Sequence, residues 1–166
     1  MEGRVLQQTY RLRKFIMSDL ERVKHINRLC LPENYTDHFF LDLHHRFPET
    51  FIVAEEDGNV VGYIMCRIET SFSIVGFQGL IKKGHIVSVA VLPEYRRKGL
   101  GQALACKAME KMELYKVKQC YLEVRKSNTT AVALYRKLEF QISRTIRSYY
   151  ADGEDAYLMT KKLALE

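Results

Sequence analysis

A chain of 166 residues with a hydrophobic share of 47% is long and apolar enough to bury a core, which excludes a disordered polymer. No apolar run approaches the roughly 20 residues that span a bilayer, and Met1 to Tyr10 holds no apolar leader segment, so neither a membrane protein nor a secreted one is expected. The net charge of +6 suits a phosphate-rich ligand or a location near ribosomal RNA, but no aromatic-basic signature of RNA binding is present, so nucleic acid is not expected as a substrate.

Tyr10 to Ile16 alternates as a first strand. Ser18 and Asp19 are placed to cap a helix running to about Cys30, with Leu20, Val23, Ile26 and Leu29 as its apolar stripe. Pro32 breaks the chain within Leu31-Pro32-Glu33-Asn34-Tyr35. A second helix is expected from Asp37 to Arg46, ending before Pro48. Phe51 to Glu56 and Val60 to Glu69 flank Asp57-Gly58-Asn59, a hairpin signal. Thr70 to Gly84 holds three of the nine glycines and reads as a loop. A strand from His85 to Leu92, a basic loop and a helix from Leu100 to Leu114 follow. Tyr121 to Arg125 reads as a strand, Asn128 to Leu138 as a helix and Gln141 to Tyr150 as a strand. Asp152-Gly153-Glu154-Asp155 turns the chain into a last strand, Ala156 to Lys161. This order predicts an α/β chain with a mixed sheet and helices on both faces. No repeat or linker divides it, so residues 1–166 are expected to form one domain. Cys30, Cys66, Cys106 and Cys120 form no C-x-x-C pair, sit in apolar surroundings and read as buried, reduced thiols of a cytoplasmic protein.

The loop Arg96-Arg97-Lys98-Gly99-Leu100-Gly101 lies between a strand and a helix. A helix start offers free N–H groups, and its dipole favours an anion. Gly99 and Gly101 let the backbone approach a phosphate, and the basic side chains add charge. The loop therefore reads as a diphosphate cradle. It is not a P-loop, because no Gly-Lys-Ser/Thr ends it, and it lacks the G-x-G-x-x-G of dinucleotide sites.

The same loop resembles the (Arg/Gln)-x-x-Gly-x-(Gly/Ala) signature of the GCN5-related N-acetyltransferases (GNAT). Leu31-Pro32-Glu33-Asn34-Tyr35 resembles the peptide-binding loop of NatA-type protein N-terminal acetyltransferases. Gly84-His85-Ile86 and Arg125-Lys126-Ser127-Asn128 are similar to their central motifs, and Tyr149 to Tyr157 to their closing hairpin. The likeness covers essentially the whole chain. Its short, tail-less form is similar to archaeal enzymes that resemble both NatA catalytic subunits and bacterial RimI-type enzymes.

The resemblance implies a GNAT fold, a mostly antiparallel mixed sheet split between two parallel central strands, His85–Leu92 and Tyr121–Arg125. It implies acetyl-CoA as co-substrate, with the pantetheine arm on one side of the split and the amine on the other. Val89, Ala90 and Val91 would pair with the pantetheine amides, and Arg97, Lys98, Gly99, Leu100, Gly101 and Gln102 would surround the pyrophosphate. Asn128 would touch the pantetheine arm. Tyr135, seven residues on and on the same helix face, would sit near the thioester sulfur. Leu31, Pro32, Glu33, Tyr35, Tyr149 and Tyr150 would bind the substrate, which the resemblance makes a protein N-terminus or nascent chain.

Acetyl transfer needs a neutral amine. An α-amine, with pKa about 7.7–8.0, needs less help than a lysine at about 10.4. His85 and Glu123 are candidate proton acceptors. His85, Val87, Val89 and Val91 are expected on one face of their strand, and Tyr121, Glu123 and Arg125 on one face of theirs. Side by side, the histidine and carboxylate meet directly or through water. Many eukaryotic relatives carry histidine where this chain has Glu123. Glu33 is a second candidate, as a base, as the group that attracts the substrate ammonium or as one that narrows the pocket for the first residue. No third ligand stands at metal spacing, so no functional metal is expected. His25, His38, His44 and His45 read as surface or packing residues. The rival activities are a lysine or small-amine acetyltransferase of the same fold and a non-catalytic acetyl-CoA-binding module.

Overall fold

The computed structural model describes residues 10–76 and 78–163, so the N-terminal stretch read for a leader segment lies almost wholly outside it. The strands are β1 (Tyr10–Lys14), β2 (Phe51–Glu56), β3 (Asn59–Phe72), β4 (Leu80–Val91), β5 (Gln119–Arg125), β6 (Gln141–Ile146) and β7 (Ala156–Lys162). The helices are α1 (Leu20–Cys30), α2 (Asp37–Arg46), α3 (Leu100–Met112) and α4 (Thr129–Lys137). The strands form one sheet in the order β1-β2-β3-β4-β5-β7-β6. β4 and β5 pair in parallel, and every other neighbouring pair is antiparallel. No helix among the described residues is long and apolar enough to cross a membrane.

Helices cover both faces of the sheet. A Cβ on Gly62 would stand 3.5 Å from Leu104 of α3, while Tyr63 turns the other way to meet Phe40 of α2 edge-on at 6.4 Å. The core between them is built on Phe15, Phe51, Ile64, Leu104, Met112 and Leu122.

Three stretches differ from the sequence reading. Leu29 is 60% exposed, and the buried face of α1 is Val23, Ile26 and Asn27. The cysteines divide in the same way: Cys66 and Cys120 are buried, but Cys30 is half-buried and Cys106 lies on the exposed side of α3, because apolar neighbours in sequence do not share a helix face. Thr70 to Gly84 is largely strand, because β3 continues to Phe72 and β4 starts at Leu80. Gly84 is a strand residue under a helix rather than a turn residue, since a Cβ there would collide with the Met112 thioether of α3. The third is β6, which stops at Ile146 rather than Tyr150. There Ser148 N–H donates to Asp155 Oδ1 at 2.9 Å and Gly153 N–H to Tyr150 O at 2.8 Å, closing a structured connection before β7.

A bulge sets the site. Met65 pairs with Ser88 but Cys66 pairs with Ile86, so β4 carries an extra residue, Val87. Alternation therefore breaks there. Val89 and Val91 share the α3 face with Ile64 and Gly62, whereas His85, opposite Arg67, lies on the other face from Gly84. The expectation that His85, Val89 and Val91 share a face fails, because period-2 reading assumes an unbroken strand.

Candidate active site

The parallel pairing of β4 and β5 covers only Lys83–His85 against Gln119–Tyr121. From Ile86 to Val91, β4 has no partner in β5, and this is the split in the sheet. Val89, Ala90 and Val91 lie along its edge. Tyr35 Oη donates to Val87 O at 3.4 Å, which ties the α1–α2 connection to the bulge.

At the end of β4, Arg96 Nε donates to Val91 O at 2.8 Å, so this arginine anchors the loop. Arg97, Lys98 and Gly99 are exposed, and Gly99 is the residue that starts α3. Its φ of 80° lies in the left-handed region, as does the 63° of Arg97. No atom stands within 4 Å of the position a Gly99 Cβ would take, so the space before the helix start is open. Free first-turn N–H groups, cationic side chains and that space fit a diphosphate such as that of acetyl-CoA. Leu100 is buried and anchors the helix, while Gly101 and Gln102 are half-buried in its first turn. A Cβ on Gly101 would make an ordinary 3.6 Å contact with Leu134.

His85 and Glu123 meet directly across the pairing of β4 and β5, with Nε2 and Oε2 2.6 Å apart. The Tyr121 ring stacks on the imidazole with centroids 4.5 Å apart and planes 3° apart. Arg67 Nη2 donates to His85 Nδ1 at 3.2 Å. Glu69 accepts from Tyr121 Oη at 2.7 Å and lies 3.9 Å from Arg67 Nε and 3.7 Å from Lys83 Nζ. Burial, together with Glu69, pushes the Tyr121 hydroxyl pKa up.

Glu123 stands near three tyrosines, since its charge raises the hydroxyl pKa of Tyr35, Tyr149 and Tyr150. Tyr35 stacks on Phe39 at 4.8 Å, and burial with Glu33 nearby pushes its hydroxyl up to about 12. Glu33 does not stand free. Its Oε1 accepts from Arg125 Nη2 at 2.6 Å, and Asn27 Nδ2 holds its backbone carbonyl at 3.1 Å. Arg125 also donates to Asp152 at 2.8 Å and Glu154 at 2.9 Å, and lies 3.9 Å over the Tyr150 ring. Leu31 and Pro32 lead from α1 into this loop, with Pro32 exposed and Leu31 half-buried.

Residues 20–140 match the Acetyltransferase (GNAT) family. The chain belongs to that family. It is 51% identical over 156 residues to an N-alpha-acetyltransferase of Sulfurisphaera tokodaii, covering 93% of each chain. It is also similar to the crystal structure of Ard1 from Thermoplasma volcanium, with a TM-score of 0.80 and 32% identity over 95% of this chain and 99% of that one. Naa50 of Arabidopsis thaliana, solved with the bisubstrate analogue CoA-Ac-MVNAL, gives a TM-score of 0.80 and 26% identity over 93% of this chain and 99% of that one.

Within this GNAT chain the remaining candidates stand on α4. Asn128 is its N-cap, and its side chain accepts from Ala131 N–H at 3.1 Å. The helix therefore starts at Thr129, and the Asn128 amide NH₂ remains a donor. Tyr135 is 5% exposed and packs edge-on against Phe140 at 5.7 Å. Burial pushes its hydroxyl pKa up, so it is held neutral, as a proton source must be. Among the described residues no group of three His, Cys, Asp or Glu is placed to hold a metal. Two surface hollows, of about 320 and 380 Å³, are lined by none of these candidates.

Sequence reasoning missed Arg67, Glu69 and Tyr121 behind His85, and the bridging role of Arg125. Arg67 and Glu69 alternate with Ile68 at the end of a predicted strand, which was the available signal. Which strand they lie beside depends on long-range pairing.

Proposed function

We propose that this protein transfers the acetyl group of acetyl-CoA to the α-amine of protein N-termini, by direct attack of the amine while both substrates are bound. The observation that carries this reading is the His85–Glu123 pair, 2.6 Å apart beside the split and close enough to Tyr35, Tyr149 and Tyr150 for the carboxylate to act on their hydroxyls. Acetyl-CoA supplies an activated acyl thioester. The Arg97–Gln102 loop holds its diphosphate, and the edge from Val89 to Val91 and Asn128 hold its arm.

Glu123 takes the proton from the incoming ammonium, and the freed lone pair makes the new C–N bond as the C–S bond breaks. Tyr135 Oη supplies a proton to the departing sulfur, and the second proton of the attacking nitrogen, shed as the amide forms, restores the tyrosine. His85 donates to Glu123 and fixes it. Glu33, paired with Arg125, shapes the mouth rather than serving as the base. The half-exposed tyrosines accept a peptide end, and this favours an α-amine over a free small amine. The N-alpha-acetyltransferase name of the Sulfurisphaera relative and the peptide-bearing analogue in Naa50 support the same substrate.

The chain works as one acetyltransferase unit in the cytoplasm, where nascent chains are its substrates. Its net charge of +6 suits a place near the ribosome. The test is release of free thiol from acetyl-CoA with a short serine-starting peptide and with the same peptide blocked at its N-terminus. Release with the free peptide alone is expected. Equal release with the blocked peptide removes the reading.

A further inference from the structure

An arginine only donates hydrogen bonds, and it stays charged in proteins. A ring nitrogen bonded by its guanidinium must therefore offer a lone pair. Arg67 Nη2 lies 3.2 Å from His85 Nδ1, which leaves the ring proton to Nε2, 2.6 Å from Glu123 Oε2. Only one tautomer satisfies both contacts. In it His85 is a donor toward Glu123 and has no lone pair on that side.

We propose that Arg67 is a positioning residue that sets the tautomer of His85, so that Glu123 alone is left to accept the substrate's proton; this rests on the reading of the pair given above. The surroundings are built for it. The bulge in β4 places His85 directly opposite Arg67 of β3. Tyr121 fixes the ring plane by stacking at 4.5 Å, and its hydroxyl is held by Glu69 at 2.7 Å. The same Glu69 stands 3.9 Å from Arg67, so one carboxylate steadies both partners of the imidazole. Lys83, 8% exposed, sits over the Tyr121 ring at 5.1 Å and 3.7 Å from Glu69.

The charged and titratable groups around the ring are therefore Arg67 and Glu69 from β3, Lys83 from its own strand, and Tyr121 and Glu123 from β5. The charge of Glu123 acts on the hydroxyls of Tyr35, Tyr149 and Tyr150, and that of Arg67 on Tyr149. Across the sheet the order is Glu123 of β5, His85 of β4 and Arg67 of β3. A histidine base in this position would need a bare Nε2, which Arg67 denies it.

The experiment is ¹⁵N NMR of the whole protein labelled in its histidine rings, at neutral pH, with His85 assigned by its loss in His85→Gln. In the unmodified protein a bare Nδ1 and a protonated Nε2 are expected. Arg67→Met should give an averaged or Nδ1-protonated ring. It should also lower kcat by about 10–100-fold, the usual cost of losing a group that orients a functional histidine, with the acetyl-CoA KM unchanged. A protonated Nδ1 in the unmodified protein overturns the proposal without any variant. So does an Arg67→Met protein whose His85 spectrum or kcat is unaltered. Full activity in Glu123→Gln would instead remove the reading of Glu123 as base, and the His85 spectrum is independent of that outcome.

Discussion

Two carboxylates, Glu33 and Glu123, face the tyrosine-lined mouth, and they keep different company. Glu33 Oε1 is held by the Arg125 guanidinium at 2.6 Å, so using this carboxylate as a base gives up an ion pair. Glu123 Oε2 is bonded by His85 and needs no such break. Glu123→Gln should therefore lower kcat by about 10²–10⁴-fold, as loss of a general base does. Glu33→Gln should raise the peptide KM more than it lowers kcat. Steady-state kinetics with one serine-starting peptide separates the two. The His85–Glu123 double variant should fall little below the worse single one, because the residues act as a unit.

Gly99 makes the second case at this scale. Its φ of 80° costs any L side chain roughly 1–2 kcal/mol, and a Cβ would point into the open space before α3. Calorimetry on Gly99→Val should show acetyl-CoA affinity reduced about tenfold or more. Unchanged affinity would remove the phosphate role of the loop.

Three elements meet at Arg125. It stands at the end of β5 and binds Glu33 of the α1–α2 connection together with Asp152 and Glu154 of the β6–β7 connection. These pairs lie near the surface, where each contributes little to stability. Arg125→Ala should therefore leave the melting temperature nearly unchanged while raising the peptide KM, since both walls of the mouth lose their tether. Ser127 and Arg125 together hold the Glu154 carboxyl down from 4.5 to about 2. A depressed acid contributes its stability above the unfolded value. That contribution is complete above about 4.5 and fades as the pH falls toward 2. In acid titrations followed by thermal melting, Glu154→Gln should show a shallower loss of stability across that window.

Packing of α3 on β4 gives a further test. Gly84→Val forces Met112 out of its place and should destabilise the fold by about 1–3 kcal/mol, the usual cost of overfilling a core. Adding Met112→Ala to Gly84→Val should recover part of that loss in denaturant melts.

At the scale of the molecule, the order of elements was legible because each rests on local signals. The hairpin at Asp57-Gly58-Asn59, the strand–loop–helix around Gly99 and the helix ended before Pro48 are all short-range patterns. His85 and Glu123 could be paired in advance because parallel neighbours and period-2 alternation bring them together. The rest depends on distant partners. Gly84 falls in a stretch that reads as loop because Met112, which packs against it, is distant in sequence, and no local pattern announces the bulge at Val87. The partners of Arg67 and Arg125 come from strands and loops far away in sequence, so their charges were indistinguishable from solvated ones.

An acetyl group transferred to an N-terminal amine leaves a product whose modified nitrogen can be located. The protein is incubated with acetyl-CoA and a serine-starting peptide that also carries an internal lysine, and mass spectrometry of the fragments locates the acetyl group. The site described here predicts acetylation at the N-terminal nitrogen, with Glu123→Gln greatly slowed. Acetyl found mainly on the lysine side chain would contradict it.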